Sequence, residues 1–505
     1  MLRFLTIFAV LCFFGFSPAL IFAQGAEATL LTQLFGTDYT ESFGSSIAAA
    51  GDVDNDGDID FIVGSPDADG NGPESGRVSV ISGADGTLLY VIDGEAAGDR
   101  FGASVSAFGD VDGNGFNDFL IGAPNNDGNG ADSGRVYAIL SGTNGYFFYD
   151  GPAADSRFGE SLDSAGDVNG DGYLDAIIGA WGDDSAFLIS GFDWSVINAF
   201  AGPAGSEFGT SVGGAGDVNG DGFDDVIVGA QFDDTAASIA GAARVYSGFD
   251  GDLLHTFLGQ ENDELGWAVS GAGDVNGDGA DDLLVGIPAR EKVHIYSGET
   301  GDLLHIIEED ESWFGGSLSD IGDANGDGSD DVIIGSEARF AGIYSGFNGS
   351  SLATFTEIDP SDLGASVNCL GDLDGDGFPE IIIGDPGYTD DPVAGSDLGT
   401  ALIYSLVPVV SPTEVFRRGD ANLDGGFNIA DEIYLLAALF SGGPTCECPD
   451  SCDQNDDGGV NIADAIYGLA ALFSGGTTPP DPGPNNCGVD PTDDVLADCI
   501  YDAAC

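Results

Sequence analysis

The sequence predicts an all-β, seven-bladed β-propeller followed by a small α-helical calcium-loop domain, and three observations carry that prediction. One Gly-Asp phrase recurs seven times at intervals of 49 to 58 residues; each complete copy holds four short β-rich runs; and the run missing from the last copy stands at the start of the chain. Repeats of that length point to propellers or solenoids. Composition agrees, because 82 Gly and 33 Phe among 505 residues, with 43% hydrophobic, supply both turns and a core. The balance of 87 acidic against 11 basic residues, a net charge of -76, excludes nucleic acid and an anionic membrane face as partners, since both are polyanions.

Residues 1–23 read as a signal peptide. Arg3 precedes an apolar stretch from Phe4 to Phe16, Ser17-Pro18 breaks any helix, and Ala23 offers a small residue before Gln24. An uncleaved anchor is the alternative, because apolar residues continue to Phe22. The expected product is secreted, extracellular or at the cell surface, without membrane insertion once the leader is removed, in an oxidising medium that contains calcium.

Residues 24–407 form the expected propeller. In the first copy the phrase runs from Phe43 to Ile47, through Gly51-Asp52-Val53 and Asp56-Gly57, to Phe61-Ile62-Val63-Gly64; Arg77 to Ser82 and Thr87 to Ile92 follow. Gly, Asp and Pro punctuate these runs, which predicts four antiparallel strands per blade, A to D. Strand B is an unbroken apolar run in each copy, as in Phe119 to Ile121 or Val226 to Val228, and such a run implies burial on both faces. The seventh copy ends after its strand C, Ala401 to Ser405, while Thr29-Leu30-Leu31 stands as far before Phe43 as Thr87-Leu88-Leu89 stands before Phe101. The N-terminal segment is therefore expected to complete the last blade and to close a ring without free ends.

Between strands A and B every copy carries oxygen-bearing side chains at loop positions 1, 3, 5 and 9, with Gly at position 6. The sets are Asp52, Asp54, Asp56 and Asp60; Asp110, Asp112, Asn114 and Asp118; Asp167, Asn169, Asp171 and Asp175; and Asp217, Asn219, Asp221 and Asp225. Asp274, Asn276, Asp278 and Asp282, then Asp323, Asn325, Asp327 and Asp331, and last Asp372, Asp374, Asp376 and Glu380 complete the series. A tight turn at the Gly aims alternate side chains at one point, which suits a hard cation such as Ca²⁺ better than the stricter octahedron of Mg²⁺. A plain turn explains any one such loop but poorly explains seven in register. The sequence Phe-Gly, Gly-Asp-Val, Asp-x-Asp-Gly, Ile-Val-Gly-x-Pro resembles the FG-GAP repeat of integrin α-chain propellers over about residues 28–407. The resemblance implies calcium in these loops and a protein or sugar ligand on the ring. Leu265 and Leu363 in place of Phe, and Glu380 in place of Asp, depart from the pattern.

After a linker at 408–415, a second repeat occupies 416–476. Two loops present Asp420, Asn422, Asp424, Asn428 and Asp431, then Asp453, Asn455, Asp457, Asn461 and Asp464, at positions 1, 3, 5, 9 and 12 of a twelve-residue calcium loop. Apolar helices are predicted over Ile433 to Phe440 and Ile466 to Phe473, each stopped by Ser-Gly-Gly. This duplicated loop and helix resembles a dockerin type I module, and the resemblance implies a cohesin-like partner; a calcium-stabilised cap is the alternative. In the Cys-rich tail, 477–505, and the module before it, Cys446, Cys448, Cys452, Cys487, Cys499 and Cys505 are read as three disulfides of open connectivity, with a zinc site as the rival.

No catalytic constellation stands out. His255, His294 and His305 fall in predicted strands and have no partner at catalytic spacing. Arg418-Gly419-Asp420 spells an adhesion tripeptide, but its Asp is already position 1 of a metal loop. Strand parity puts the metal loops and C–D turns on one face and the B–C and D–A loops on the other. The long, variable B–C loops, such as Ser65 to Gly76, Ala123 to Gly134, Gln231 to Ala243 and Asp385 to Gly399, are where a ligand is expected. The expected function is a secreted calcium-binding adhesion or ligand-binding scaffold, with no enzymatic activity, tied to a partner by its tail. The alternative is an accessory or hydrolytic component of an extracellular polysaccharide-degrading complex.

Overall fold

The computed structural model describes residues 21–22, 26–37, 41–143, 145–336, 339–356, 362–373, 375, 377–389 and 398–408, with eight helical positions between 435 and 472. Two units divide the chain, 1–408 and 409–505.

In the first unit the continuous apolar runs become the middle of each sheet. Strand B spans Asp60–Ser65, Asp118–Ala123, Asp175–Ala180, Asp225–Ala230, Asp282–Ile287, Asp331–Ser336 and Glu380–Asp385 in blades 1 to 7, and is buried at each position. On its inner side lies strand A: Ser46–Gly51, Ser104–Gly109, Leu162–Gly166, Val212–Gly216, Val269–Gly273, Ser317–Gly322 and Ser366–Gly371. On its outer side lies strand C: Arg77–Ile81, Arg135–Leu140, Ser185–Ile189, Ala242–Tyr246, Lys292–Tyr296, Phe340–Tyr344 and Thr400–Pro408. Strand D closes blades 1 to 6 at Leu88–Asp93, Gly145–Asp150, Val196–Ala201, Leu253–Leu258, Leu303–Glu308 and Ser351–Thr356. All pairings are antiparallel, and strand A of each blade packs on strand A of the next, blade 7 on blade 1 included. The expected all-β, seven-bladed ring is therefore the observed fold.

The outer strand of blade 7 comes from the N-terminal side, as the repeat arithmetic requires. Ala26–Phe35 pairs antiparallel with Thr400–Pro408, from Ala26 opposite Pro408 to Phe35 opposite Thr400. Ile21–Phe22, which the sequence assigns to the leader, pairs with Thr354 and Ala353 at the edge of blade 6.

One clasp recurs between blades. The serine two residues after the Phe-Gly glycine donates its hydroxyl to the Phe-Gly glycine carbonyl of the following blade: Ser46 to Gly102 (2.9 Å), Ser104 to Gly159 (2.8 Å), Ser161 to Gly209 (2.9 Å), Ser211 to Gly266 (2.9 Å), Ser317 to Gly364 (2.7 Å) and Ser366 to Gly44 (2.7 Å). The last of these joins blade 7 to blade 1. The approach is so close that a Cβ on Gly64, late in strand B, would fall on the Gly102 carbonyl, which is why the run ends in Gly. Blade 5 has Ala268 at the serine position, and its seam to blade 6 is marked instead by Trp267 against Trp313, ring centroids 5.0 Å apart. Ala268→Ser is expected to add the missing bond and stabilise the ring by about 0.5–1.5 kcal/mol. A urea midpoint that stays put or falls would count against the clasp.

Of the second unit, Leu435, Leu436, Leu439, Ala465, Ile466, Tyr467, Leu469 and Leu472 are helical, inside or beside the two predicted helices. The dockerin-like loop residues Asp420 to Asp431 and Asp453 to Asp464, the linker and the six tail cysteines lie outside the described residues. Cys369 is a free thiol in strand A of blade 7, half-buried rather than fully buried as a small core residue would be. Burial pushes its thiol up to about 11.

Candidate metal centre

Each A–B loop is wound by its own first residue. Asp52 accepts the Asp56 and Gly57 N–H groups at 3.1 and 3.0 Å, and Asp167 accepts those of Asp171 and Gly172 at 3.0 and 2.9 Å. Asp110, Asp217, Asp274, Asp323 and Asp372 receive the position-6 glycine N–H in the same way. In blades 1 to 6 position 5 caps the turn by accepting the position-7 N–H, as Asp171 does from Tyr173 at 3.0 Å. The glycine at position 6 is required because φ there is positive, +98° at Gly57 and +90° at Gly172.

Position 9 opens strand B and is buried in all seven blades. Asp60 accepts the Val53 N–H at 2.9 Å and, from beyond strand C, the Gly83 N–H at 3.1 Å. The same two bonds recur at Asp118, Asp175, Asp225, Asp282 and Asp331. Burial first, then the charges of Asp54 and Asp56, push the Asp60 carboxyl up to about 6 against those two bonds. Burial with like-charged loop neighbours does the same at Asp118 and Asp282, up to about 6, and at Asp175, Asp225 and Asp331, up to about 7. These carboxylates are poised to lose their protons to a positive charge.

The loops fall into two kinds by position 3. In blades 1 and 2 it is Asp, and oxygens of Asp52, Asp54 and Asp60, and of Asp110, Asp112 and Asp118, lie within 4.8 Å of one another. Oxygens around one Ca²⁺ at 2.3–2.6 Å lie at most about 5 Å apart, so the donor set fits a divalent ion. In blades 3 to 6 position 3 is Asn, whose amide nitrogen donates to the position-9 carboxylate: Asn169 to Asp175 at 3.0 Å, Asn219 to Asp225 at 3.1 Å, Asn276 to Asp282 at 3.0 Å and Asn325 to Asp331 at 3.1 Å. The amide there supplies the positive end of a dipole where blades 1 and 2 hold a third carboxylate. In blade 7, Asp374 and Asp376 lie outside the described residues, and Glu380 accepts the Leu373 N–H at 2.5 Å. In the seven A–B loops the position-1 and position-9 residues thus hold the turn together, while those of the two tail loops lie outside the described residues.

Sequence reasoning missed the residue at position 8. Asp224, Asp281 and Asp330 each reach the loop of the preceding blade and accept the N–H of its position-1 residue: Asp167 at 2.8 Å, Asp217 at 2.8 Å and Asp274 at 2.9 Å. No local pattern marks these aspartates, because their partners lie 56 to 64 residues away.

On the opposite face, arginines tie the B–C loops down. Arg100 bonds Asp67 at 3.2 Å, Arg157 bonds Asp132 at 3.2 Å, and Arg244 bonds the fully buried Asp233 at 2.5 Å. Since Arg100 and Arg157 stand on D–A loops, the B–C and D–A loops do share a face. The histidines serve the strands: His255 Nε2 meets the Gly298 carbonyl at 2.6 Å, and His294 Nδ1 meets the Tyr296 hydroxyl at 2.9 Å. Among the described residues, no helix is long and apolar enough to cross a membrane.

With this geometry in hand, similarity to known proteins is informative. The FG-GAP repeat family matches residues 43–81, 101–139, 208–246 and 265–296, which are blades 1, 2, 4 and 5 through strand C. Integrin alpha-5 of Xenopus laevis is 36% identical over 158 residues, 30% of this chain and 15% of that relative. Integrin alpha-4 of Xenopus laevis is 33% identical over 187 residues, 34% of this chain and 18% of that relative. Integrin alpha-IIb of Homo sapiens is 33% identical over 168 residues, 30% of this chain and 16% of that relative. The chain therefore spans less than a fifth of these relatives. Four matched repeats in a closed ring whose other three blades repeat the same strands and loops, together with the likeness to integrin α-chains, support an FG-GAP β-propeller.

Proposed function

We propose that this chain is an extracellular, calcium-dependent ligand-binding or adhesion scaffold, in which cations brace one face of the ring and the other face carries the ligand site. The observation that carries this reading is the division of labour between the faces. Carboxylates converge in the A–B loops of blades 1 and 2, while the long B–C loops opposite are fixed at their bases by Arg100, Arg157 and Arg244. Calcium is the preferred ion because the loops offer only oxygen donors in a flexible turn. Asp52, Asp54, Asp56 and Asp60 would hold it in blade 1 and Asp110, Asp112, Asn114 and Asp118 in blade 2, with the equivalent residues in the other blades. The ion would supply the positive charge that lets buried carboxylates remain ionised.

The relatives matched are integrin α-chains rather than enzymes, so no reaction is assigned. The ligand is a protein or glycan, and the dockerin-like tail is read as the attachment to a cohesin-like protein. Retention of the full chain on immobilised matrix proteins and glycans, with calcium and with EDTA, tests the reading alongside a glycosidase assay on the same panel. Calcium-dependent retention without turnover is the expected result. Turnover without retention would favour a hydrolytic component of a polysaccharide-degrading complex instead.

A further inference from the structure

The three position-8 aspartates connect the cation loops of blades 3, 4, 5 and 6 into a series. Asp224 is the immediate neighbour of the ligand Asp225 in loop 4, and its carboxylate holds the N–H of Asp167, a ligand in loop 3. Asp281, beside Asp282 in loop 5, holds the N–H of Asp217 in loop 4, while the Asp281 N–H returns to the Asp217 carbonyl at 3.4 Å. Asp330, beside Asp331 in loop 6, holds Asp274 in loop 5, and the Asp330 N–H returns to the Asp274 carbonyl at 3.4 Å. The other loops have different chemistry at this position: Ile59, Asn117, Leu174 and Pro379 in blades 1, 2, 3 and 7. Loops 1 and 2 are joined by the backbone bond from Asn117 N–H to the Asp52 carbonyl, 2.8 Å.

We propose that Asp224, Asp281 and Asp330 are positioning residues that couple cation binding between neighbouring loops, so that loops 3 to 6 fill cooperatively. This rests on the cation reading of the loops given above. An ion in loop 4 draws in Asp217 and Asp225, and fixing Asp225 fixes Asp224 beside it. With its carboxylate fixed, Asp224 holds the backbone of Asp167 where loop 3 needs it, so the next ion meets a loop whose ordering cost has already been met. None of the three carboxylates needs to touch an ion. Each acts through a ligand of the adjacent blade.

Hydrogen exchange of the full chain in saturating calcium, read loop by loop by mass spectrometry, tests the coupling. Asp221→Ala removes a ligand of loop 4 only. It is expected to speed exchange in loop 4 and also, by about 5-fold or more, in loop 3. Because position 8 of loop 3 is Leu174, which has no carboxylate to hold loop 2, Asp171→Ala is expected to act on loop 3 and leave loop 2 unchanged. Asp224→Ala should loosen loop 3 with loop 4 intact, whereas Asp224→Asn, which keeps the acceptor oxygen but not the charge, should leave loop 3 protected. An Asp221→Ala effect confined to loop 4, or an Asp224→Asn protein that behaves like Asp224→Ala, would overturn the proposal while leaving cation binding in place. Exchange that does not respond to calcium in any loop would remove both readings together.

Discussion

Stripping divalent ions from the ring is expected to lower its melting temperature by roughly 10 °C, and the loss should grow with pH. An ion at tenfold its dissociation constant stabilises a site by about 1.4 kcal/mol, so seven sites contribute on the order of 10 kcal/mol, as much as a whole domain's stability. The pH dependence follows from the position-9 carboxyls, which burial and neighbouring charge raise to between about 6 and about 7 in the fold. A carboxyl raised above its ordinary value stabilises the fold most at low pH, and that stability is lost as pH rises through the raised value. The ion-free ring should therefore weaken between pH 5 and pH 8. With an ion bound the same groups are ionised, and binding strengthens over that interval because fewer protons must leave. Calorimetry in calcium and in EDTA at both pH values checks this: the gap between the two melting curves should be wider at pH 8. Curves that coincide at both values would leave the loops as ordinary turns.

The second large effect is expected from the strand that closes the ring. Replacing residues 26–35 by a Gly-Ser segment of equal length, with residues 1–25 retained, should abolish the cooperative unfolding of the ring rather than trim it. Leu30 packs against the core cluster that contains Phe355, Tyr404 and Leu406, and Leu34 against the one that contains Phe43, Ile382 and Ala401. The Thr400 hydroxyl bonds the Leu34 carbonyl at 2.5 Å, and Ala26–Phe35 is paired along its length. Two partly buried leucines at about 1 kcal/mol each and a ladder of bonds at about 0.5–1.5 kcal/mol each together approach a typical domain's net stability. The replaced chain would also present Thr400–Pro408 as an open edge, so size-exclusion chromatography should show association. Restored monomer on adding a peptide of residues 26–37 would identify the edge as the cause. A monomeric replaced chain with an unchanged urea curve would contradict the closure.

Both effects rest on features that were legible in the sequence, and for physical reasons. Strand B announced itself because a strand buried on both faces needs an apolar residue at every position, and runs such as Phe61-Ile62-Val63 meet that need without help from neighbours. Thr29-Leu30-Leu31 was readable because a closed ring must account for every strand. The loop ligands were readable because a nine-residue turn keeps them close in sequence. Illegible were the contacts made only when blades meet. Asp224, Asp281 and Asp330 look like further acidic turn residues until the next loop is seen beside them, and the bond from the Asn169 amide to Asp175 is not marked in the sequence either. The pairing of Ile21–Phe22 with blade 6 was hidden for the same reason, and its apolar composition fitted a leader equally well.

The seam between blades 5 and 6 also provides an optical handle. Trp267 and Trp313 face each other across it at 5.0 Å, tilted by 56°, a separation at which two indoles couple as excitons. Their far-ultraviolet circular dichroism couplet would vanish once those blades part, so the opening of this one joint can be followed without a label while the rest of the toroid is still folded.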